Sequence, residues 1–177
     1  MTRVLGIDPG SIRTGFGIID YEEGSCTLIT SGVIELDEAT AVSERLVNLS
    51  SDLEDLLSRH RVDEVALESL FFSVNAQSAL KLGQARGVIL LECARRNLPI
   101  HEYSPAQVKS SVCGSGRAKK EQIAQMVKVL LKIPAKKAFH TFDQADALAL
   151  ALTHSQMISL NRRLNGKLNI ETEDARK

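Results

Sequence analysis

The residues best placed to do chemistry in this chain are carboxylates at the ends of apolar segments. Asp8 closes Val4-Leu5-Gly6-Ile7 just before Pro9-Gly10, and Glu68 closes Val65-Ala66-Leu67. Asp143 and Asp146 stand three apart in a helix-like segment, so both project from one face. Carboxylates brought together repel one another, which raises their pKa values or calls for a cation. Mg²⁺ meets that need, because it takes oxygen ligands, keeps several waters and leaves room for a substrate phosphate. Two such ions about 4 Å apart can stabilise both the attacking water and the leaving oxygen of a phosphodiester cleavage. Each carboxylate also has an ordinary structural reading. Asp8 can be a turn residue, Glu68 an exposed strand end, Asp143 a first-turn acid favoured by the helix dipole, and Asp146 half of a surface ion pair. Those readings leave unexplained why Asp8 and Glu68 both follow apolar strands.

Bringing these groups together requires particular elements. Short apolar runs bounded by Gly, Pro and Ser predict strands over 4–7, 15–20 and 27–36, joined closely enough to form an antiparallel meander. Apolar residues at helical spacing (Val42, Leu46, Leu49, Leu53, Leu56, Leu57) predict a helix over 41–60. A fourth strand follows at 64–68, then a long helix over 76–97 capped by Asn75, then a short strand at 100–103. Ser104-Pro105 starts a brief helix that stops near Gly114, and a basic amphipathic helix runs over 119–132 until Pro134. Thr141-Phe142-Asp143-Gln144 reads as a capping box opening a last helix that ends near Met157. The order βββαβαβααα predicts an α/β fold, a five-stranded mixed sheet with helices on both faces. If the first and fourth strands are neighbours, Asp8 and Glu68 lie side by side, and the first turn of the last helix can bring Asp143 and Asp146 against them.

Bulk properties narrow the function classes. The chain has 177 residues, 44% hydrophobic and 25% charged, which suits one domain over 1–157 and a polar tail over 158–177 expected to be flexible. No apolar run reaches the ~18 residues of a membrane span. No secretory leader is expected, and Cys26, Cys93 and Cys113 lack the spacing of a disulfide framework or structural zinc, so a cytoplasmic location is expected. With no Trp and 4% aromatic residues, an aromatic carbohydrate platform is excluded. The formal net charge of zero hides an asymmetry. Residues 20–64 hold 12 acidic and 3 basic side chains, whereas 109–137 hold 8 basic side chains and one acid, Glu121. One basic surface for phosphates and an acidic one facing elsewhere is the functional reading; two solvated helix faces is the plain one.

Several strings resemble a known family. Leu5-Gly6-Ile7-Asp8-Pro9-Gly10-Ser11 with Thr14-Gly15, Leu67-Glu68 with Phe71 and Asn75, and above all Ser78-Ala79-Leu80-Lys81-Leu82-Gly83-Gln84-Ala85-Arg86-Gly87 are similar to the crossover-junction endodeoxyribonuclease RuvC family. Gln107-Val108-Lys109, Gly114-Ser115-Gly116 and Asp143-Gln144-Ala145-Asp146-Ala147-Leu148 extend the likeness in order over 4–154. The resemblance implies a ribonuclease H-like fold in a bacterial homodimer. It also implies a Mg²⁺-dependent Holliday junction resolvase, with Mn²⁺ able to substitute and two ions per site, working beside the RuvA–RuvB branch-migration complex on four-way junction DNA. It places the catalytic, metal-holding carboxylates on Asp8, Glu68, Asp143 and Asp146, the functional lysines on Lys109 and Lys120, and the junction-contacting aromatic on Phe71. Products with 5′-phosphate and 3′-hydroxyl ends follow from the same likeness.

Around those residues, Arg117 and Lys119 join Lys109 and Lys120 beside the Gly114–Gly116 elbow, the pattern of contacts to backbone phosphate. His140, three residues before Asp143, can position metal, although a loop histidine is the plainer reading. Gly83 and Gly87 each cost up to ~1 kcal/mol in a helix interior relative to Ala. Close approach to the chain's own sheet, or a helix–helix dimer seam, would offset that cost. Other functions stay open on sequence alone: an ATPase sharing the strand–Asp–Gly opening, a non-catalytic junction scaffold, and a shorter ribonuclease H-like family of RNA-processing resolvases.

Overall fold

The computed structural model describes residues 1–69 and 76–174. Three strands, β1 (Thr2–Asp8), β2 (Arg13–Glu22) and β3 (Ser25–Glu35), form the expected antiparallel meander. The chain continues through α1 (Val42–Arg59), β4 (Glu64–Glu68), α2 (Ala76–Arg95), β5 (Ile100–Tyr103), α3 (Pro105–Cys113), α4 (Lys120–Leu130) and α5 (Phe142–Asp174). The sheet order is β3-β2-β1-β4-β5, with β4 and β5 added parallel to β1. Both parallel additions are made through crossovers that contain a helix, α1 and then α2, as parallel pairing demands.

Period-2 alternation divides the strands between two cores. Leu5, Ile7, Ile18, Val65 and Leu67 face α1 and α2, packing on Leu49, Leu53, Leu57, Ala85 and Ile89. Val4, Ile19, Ala66 and Tyr103 face α3, α4 and α5, packing on Val108, Val112, Ile123, Val127 and Leu148. Burying each such Leu or Ile contributes about 1.5–3 kcal/mol. The predicted α1 stripe is shorter than expected: Val42 is exposed and Arg45 is buried in its place.

The α5 helix lies directly on β1 and β2. A Cβ at Gly6 would coincide with the Ala147 carbonyl oxygen, and one at Gly15 with the Asp143 carbonyl oxygen. Only glycine lets a helix backbone come this close to a strand, and this contact sets the height of Asp143 and Asp146 above the sheet.

Three local expectations need correction. The last helix does not stop near Met157; it runs to Asp174. Arg162 is one cause: its guanidinium donates to Thr2 Oγ1 at 3.2 Å and lies 5.7 Å from the Tyr21 ring, which fastens the extension to β1 and β2. Thr141 does not cap this helix. Its Oγ1 is buried with no hydrogen-bond partner, while Gln144 accepts from the His140 amide at 3.0 Å and donates to Ser31 on β3 at 2.9 Å. The Gln144 side-chain carbonyl oxygen, which the box would aim at the Thr141 amide, is held one residue earlier on His140. Gly83 and Gly87 do not pack on the chain's own sheet either, since a Cβ at each would meet only open space. Asn75, read as the cap of α2, lies outside the described residues.

Candidate active site

Register decides the centre of the site. Parallel pairing sets Ile7 opposite Leu67, so the next residues, Asp8 and Glu68, end neighbouring strands side by side. Both follow the alternation onto the α5 side of the sheet: Gly6, two before Asp8, abuts α5, and Ala66, two before Glu68, belongs to the α5 core. The turn after β1 is locked by buried Thr14, whose hydroxyl donates to the Gly10 carbonyl at 3.2 Å. Beneath Glu68, the buried Arg86 of α2 donates to the Glu68 carbonyl at 2.6 Å and pairs with Glu102 at 2.7 Å. Arg86 thus fixes the backbone that presents Glu68. Sequence reasoning gave it no role, although it sits in the most specific matched string.

Across the cleft stand the cations. Ser104 caps α3 with a full capping box: its hydroxyl accepts from the Gln107 amide, and Gln107 accepts from the Ser104 amide at 2.8 Å. Gly114 then ends α3 in the left-handed region, φ 73°, and turns the chain toward α4. Lys109 on α3 and Lys120 at the start of α4 thereby face the carboxylates. Asp8, Glu68, Asp146, Lys109 and Lys120 line one cleft of about 290 Å³, floored by Val108, Ile123 and Leu150. The Lys120 ammonium lies 3.6 Å from Asp146. Asp143 stands at the cleft's edge in the first turn of α5, close enough for its charge to act on Asp8.

Electrostatics follow from this crowding. Asp8 is pushed up from 3.8 to about 8, first by burial and then by the charges of Glu68, Asp146 and Asp143. Burial and the neighbouring carboxylates thus favour the protonated form of the Asp8–Glu68 pair. Burial also pushes Glu68 and Asp146 up, while Lys120 and Lys109 pull both down. A pocket of oxygen donors that holds a proton for want of positive charge suits a hard divalent cation.

Arg117 and Lys119 do not line the cleft. Both are exposed on the α3–α4 connection, shortly before Lys120 in the chain. His140 precedes α5 and lines a separate hollow with Lys128, Phe139 and Phe142. Phe71 and its neighbour Phe72 lie outside the described residues.

Comparison with known proteins finds relatives that match most of the chain. The family model described as crossover junction endodeoxyribonuclease RuvC matches residues 4–154. A relative of that name from Halorhodospira halophila is 47% identical over 88% of this chain and 90% of its own length. Another from Caldicellulosiruptor saccharolyticus is 48% identical over 86% of this chain and 91% of its own. Among solved structures, Thermus thermophilus RuvC in complex with a Holliday junction substrate superposes with a TM-score of 0.81. It is 31% identical, covering 90% of this chain and 96% of that one. The yeast mitochondrial Holliday junction resolvase, at 17% identity and a TM-score of 0.63, shares the fold. A matching family model over most of the chain, and relatives alike over nearly their whole length, make this protein a member of the crossover junction endodeoxyribonuclease RuvC family.

Proposed function

We propose that this chain binds four-way DNA junctions as a homodimer and resolves them by paired, symmetric, Mg²⁺-dependent phosphodiester hydrolysis. The observation that carries the reading is the single cleft in which Asp8, Glu68 and Asp146 face Lys109 and Lys120. Asp8, Glu68, Asp143 and Asp146 would hold two Mg²⁺ ions, with Mn²⁺ able to replace them; the all-carboxylate donor set and the raised pKa of Asp8 fit such ions. When bound, the metal supplies Lewis acidity and a water of lowered pKa. The chain's own residues do the rest. Lys109 and Lys120 neutralise charge developing on the phosphate. Arg86 keeps the Glu68 backbone in place, and the apolar floor excludes bulk water from behind the scissile group. Arg117 and Lys119, and Phe71 beyond Glu68, contact the branched DNA. Hydrolysis leaves 5′-phosphate and 3′-hydroxyl ends.

A junction is twofold symmetric, so two identical sites in a C2 dimer match its two cuts. The surface for that dimer is the outer stripe of α2, where Leu80 and Leu91 are exposed and Gly83 and Gly87 leave open space for another helix. Residues 1–157 form the nuclease domain, acting in the bacterial cytoplasm beside RuvA–RuvB. Among the described residues no helix is long and apolar enough to cross a membrane. The test is cleavage of a synthetic four-way junction against linear duplex, with Mg²⁺ and with chelator. Symmetric nicks in the junction alone, lost with chelator, are expected; equal cutting of duplex would overturn the reading.

A further inference from the structure

A second cluster of metal-ligating side chains lies on the α5 side of the sheet, away from the cleft. Glu64 begins β4, four residues before Glu68 and thus about 13 Å from it along the strand. Its Oε2 lies 2.8 Å from His154 Nε2 on α5 and 3.0 Å from His101 Nε2 on β5. The two imidazoles stack with centroids 4.2 Å apart and planes at 27°, and the three ligand atoms all lie within 4.8 Å of one another. His101 Nε2 is buried without a well-formed hydrogen bond. On its far side, His154 Nδ1 is 2.7 Å from the Tyr103 hydroxyl.

We propose that Glu64, His101 and His154 form a binding site for a transition-metal divalent cation of the Zn²⁺ class, separate from the carboxylate cleft. Two imidazole nitrogens and one carboxylate oxygen are a borderline-soft donor set, which favours Zn²⁺ over the Mg²⁺ preferred by carboxylates alone. Tetrahedral ligands at about 2.0–2.1 Å from the metal sit about 3.3 Å apart, so the present spacings need to open by only a few tenths of an ångström. His101 and Glu64 can give that room, being 42% and 28% exposed at the side chain, whereas His154 is 3% exposed and fixed. Water would take the fourth position. Tyr103 completes the arrangement. When His154 Nδ1–H donates to the phenol oxygen, its Nε2 presents a lone pair to the metal, the outer partner a ligating histidine needs. Without metal the same contact reverses: the Tyr103 hydroxyl donates to Nδ1, and Nε2–H donates to Glu64. The bound cation would join β4, β5 and α5 at the end opposite Asp143 and Asp146.

The test uses the full chain stripped with chelator, then held in millimolar Mg²⁺ to fill the carboxylate cleft, with Zn²⁺ titrated by calorimetry. One Zn²⁺ per chain is expected, weakened roughly 100-fold or more in His101→Phe and Glu64→Gln and about 10-fold in Tyr103→Phe. At a hundredfold excess over Kd the wild type should melt about 5–10 °C higher, and the two ligand variants should not. Co²⁺ reads the ligands on the unmodified protein: intense visible bands of a four-coordinate site support the proposal, and a faint six-coordinate spectrum overturns it. Unaltered Zn²⁺ binding by His101→Phe, or no Zn²⁺ uptake in the presence of Mg²⁺, would also overturn it.

Discussion

Replacing Asp8 with Asn should destroy cleavage and yet stabilise the metal-free protein, and the stabilisation should grow with pH. The buried Asp8 carboxyl sits near pKa 8 in the fold against 3.8 ordinarily. At pH 7 it is therefore largely protonated when folded and ionised when unfolded, and the chain takes up nearly one proton on folding. A group raised in this way favours the fold fully below its unfolded pKa and loses that contribution as pH climbs through the folded value. At about 1.4 kcal/mol per pH unit the loss reaches about 4 kcal/mol by pH 7, an upper bound. Sharing of the proton with Glu68 and relaxation of the site bring it nearer 2 kcal/mol. Asn has the same shape and can donate its amide to Glu68 without the proton. In chelator, Asp8→Asn should melt about 4–8 °C above wild type at pH 7, with little difference at pH 4 and a plateau beyond about pH 8. Saturating Mg²⁺ should narrow or reverse the gap, because only the wild type then gains the cation that Asp8 needs. Differential scanning fluorimetry across pH, with a junction-cleavage assay beside it, reads every arm. A gap independent of pH, or a wild type more stable than the variant in chelator at pH 8, refutes the electrostatic account of the cleft.

Two further outcomes follow from other contacts. Gly6→Ala has no space against the Ala147 carbonyl, so α5 must shift; a stability loss of about 1–3 kcal/mol and a drop in kcat of roughly 100-fold are expected, and a variant with normal kcat would show that α5 is not held by this contact. Glu92, 2% exposed at the side chain, accepts from Ser50 at 2.7 Å and from Arg95 and Arg96 at 3.0 Å each. The Ser50 hydrogen bond, with the arginines behind it, holds its carboxyl below the usual range. Glu92→Ala should cost about 2–3 kcal/mol, discounted from a fully buried pair because both arginines reach solvent. As a group lowered in the fold, its contribution is present at neutral pH and disappears as pH falls through its folded value; chemical denaturation at pH 7 and pH 3 should show the variant's deficit shrinking in acid.

The strands and the sheet class were legible because alternation and turn residues act locally; the placement of Asp8 beside Glu68 followed only once β1 and β4 were neighbours. The remainder depends on contacts distant in sequence. Nothing near Gly6 announces that Ala147 will press on it, and nothing near Gln144 announces that its amide will also reach Ser31 on β3. Arg162 holds a helix past Met157 by binding Thr2, at the other end of the sequence. Glu64 looked like charge bounding a strand until β5 and α5 brought two histidines to it. Arg117 and Lys119 were grouped with Lys109 and Lys120 by proximity in the chain, but helix geometry turns only the latter pair into the cleft.

The docking of α5 onto glycine-bearing strands also has a bearing on synthesis. A ribosome delivers Asp8 and Glu68 early, and the sheet can begin to form while Asp143 and Asp146 are still untranslated. Until the final helix emerges and settles, a nascent or prematurely terminated polypeptide would carry only half of the ligand set proposed above. On that proposal, the order of the reading frame itself would withhold destructive capacity from every unfinished copy.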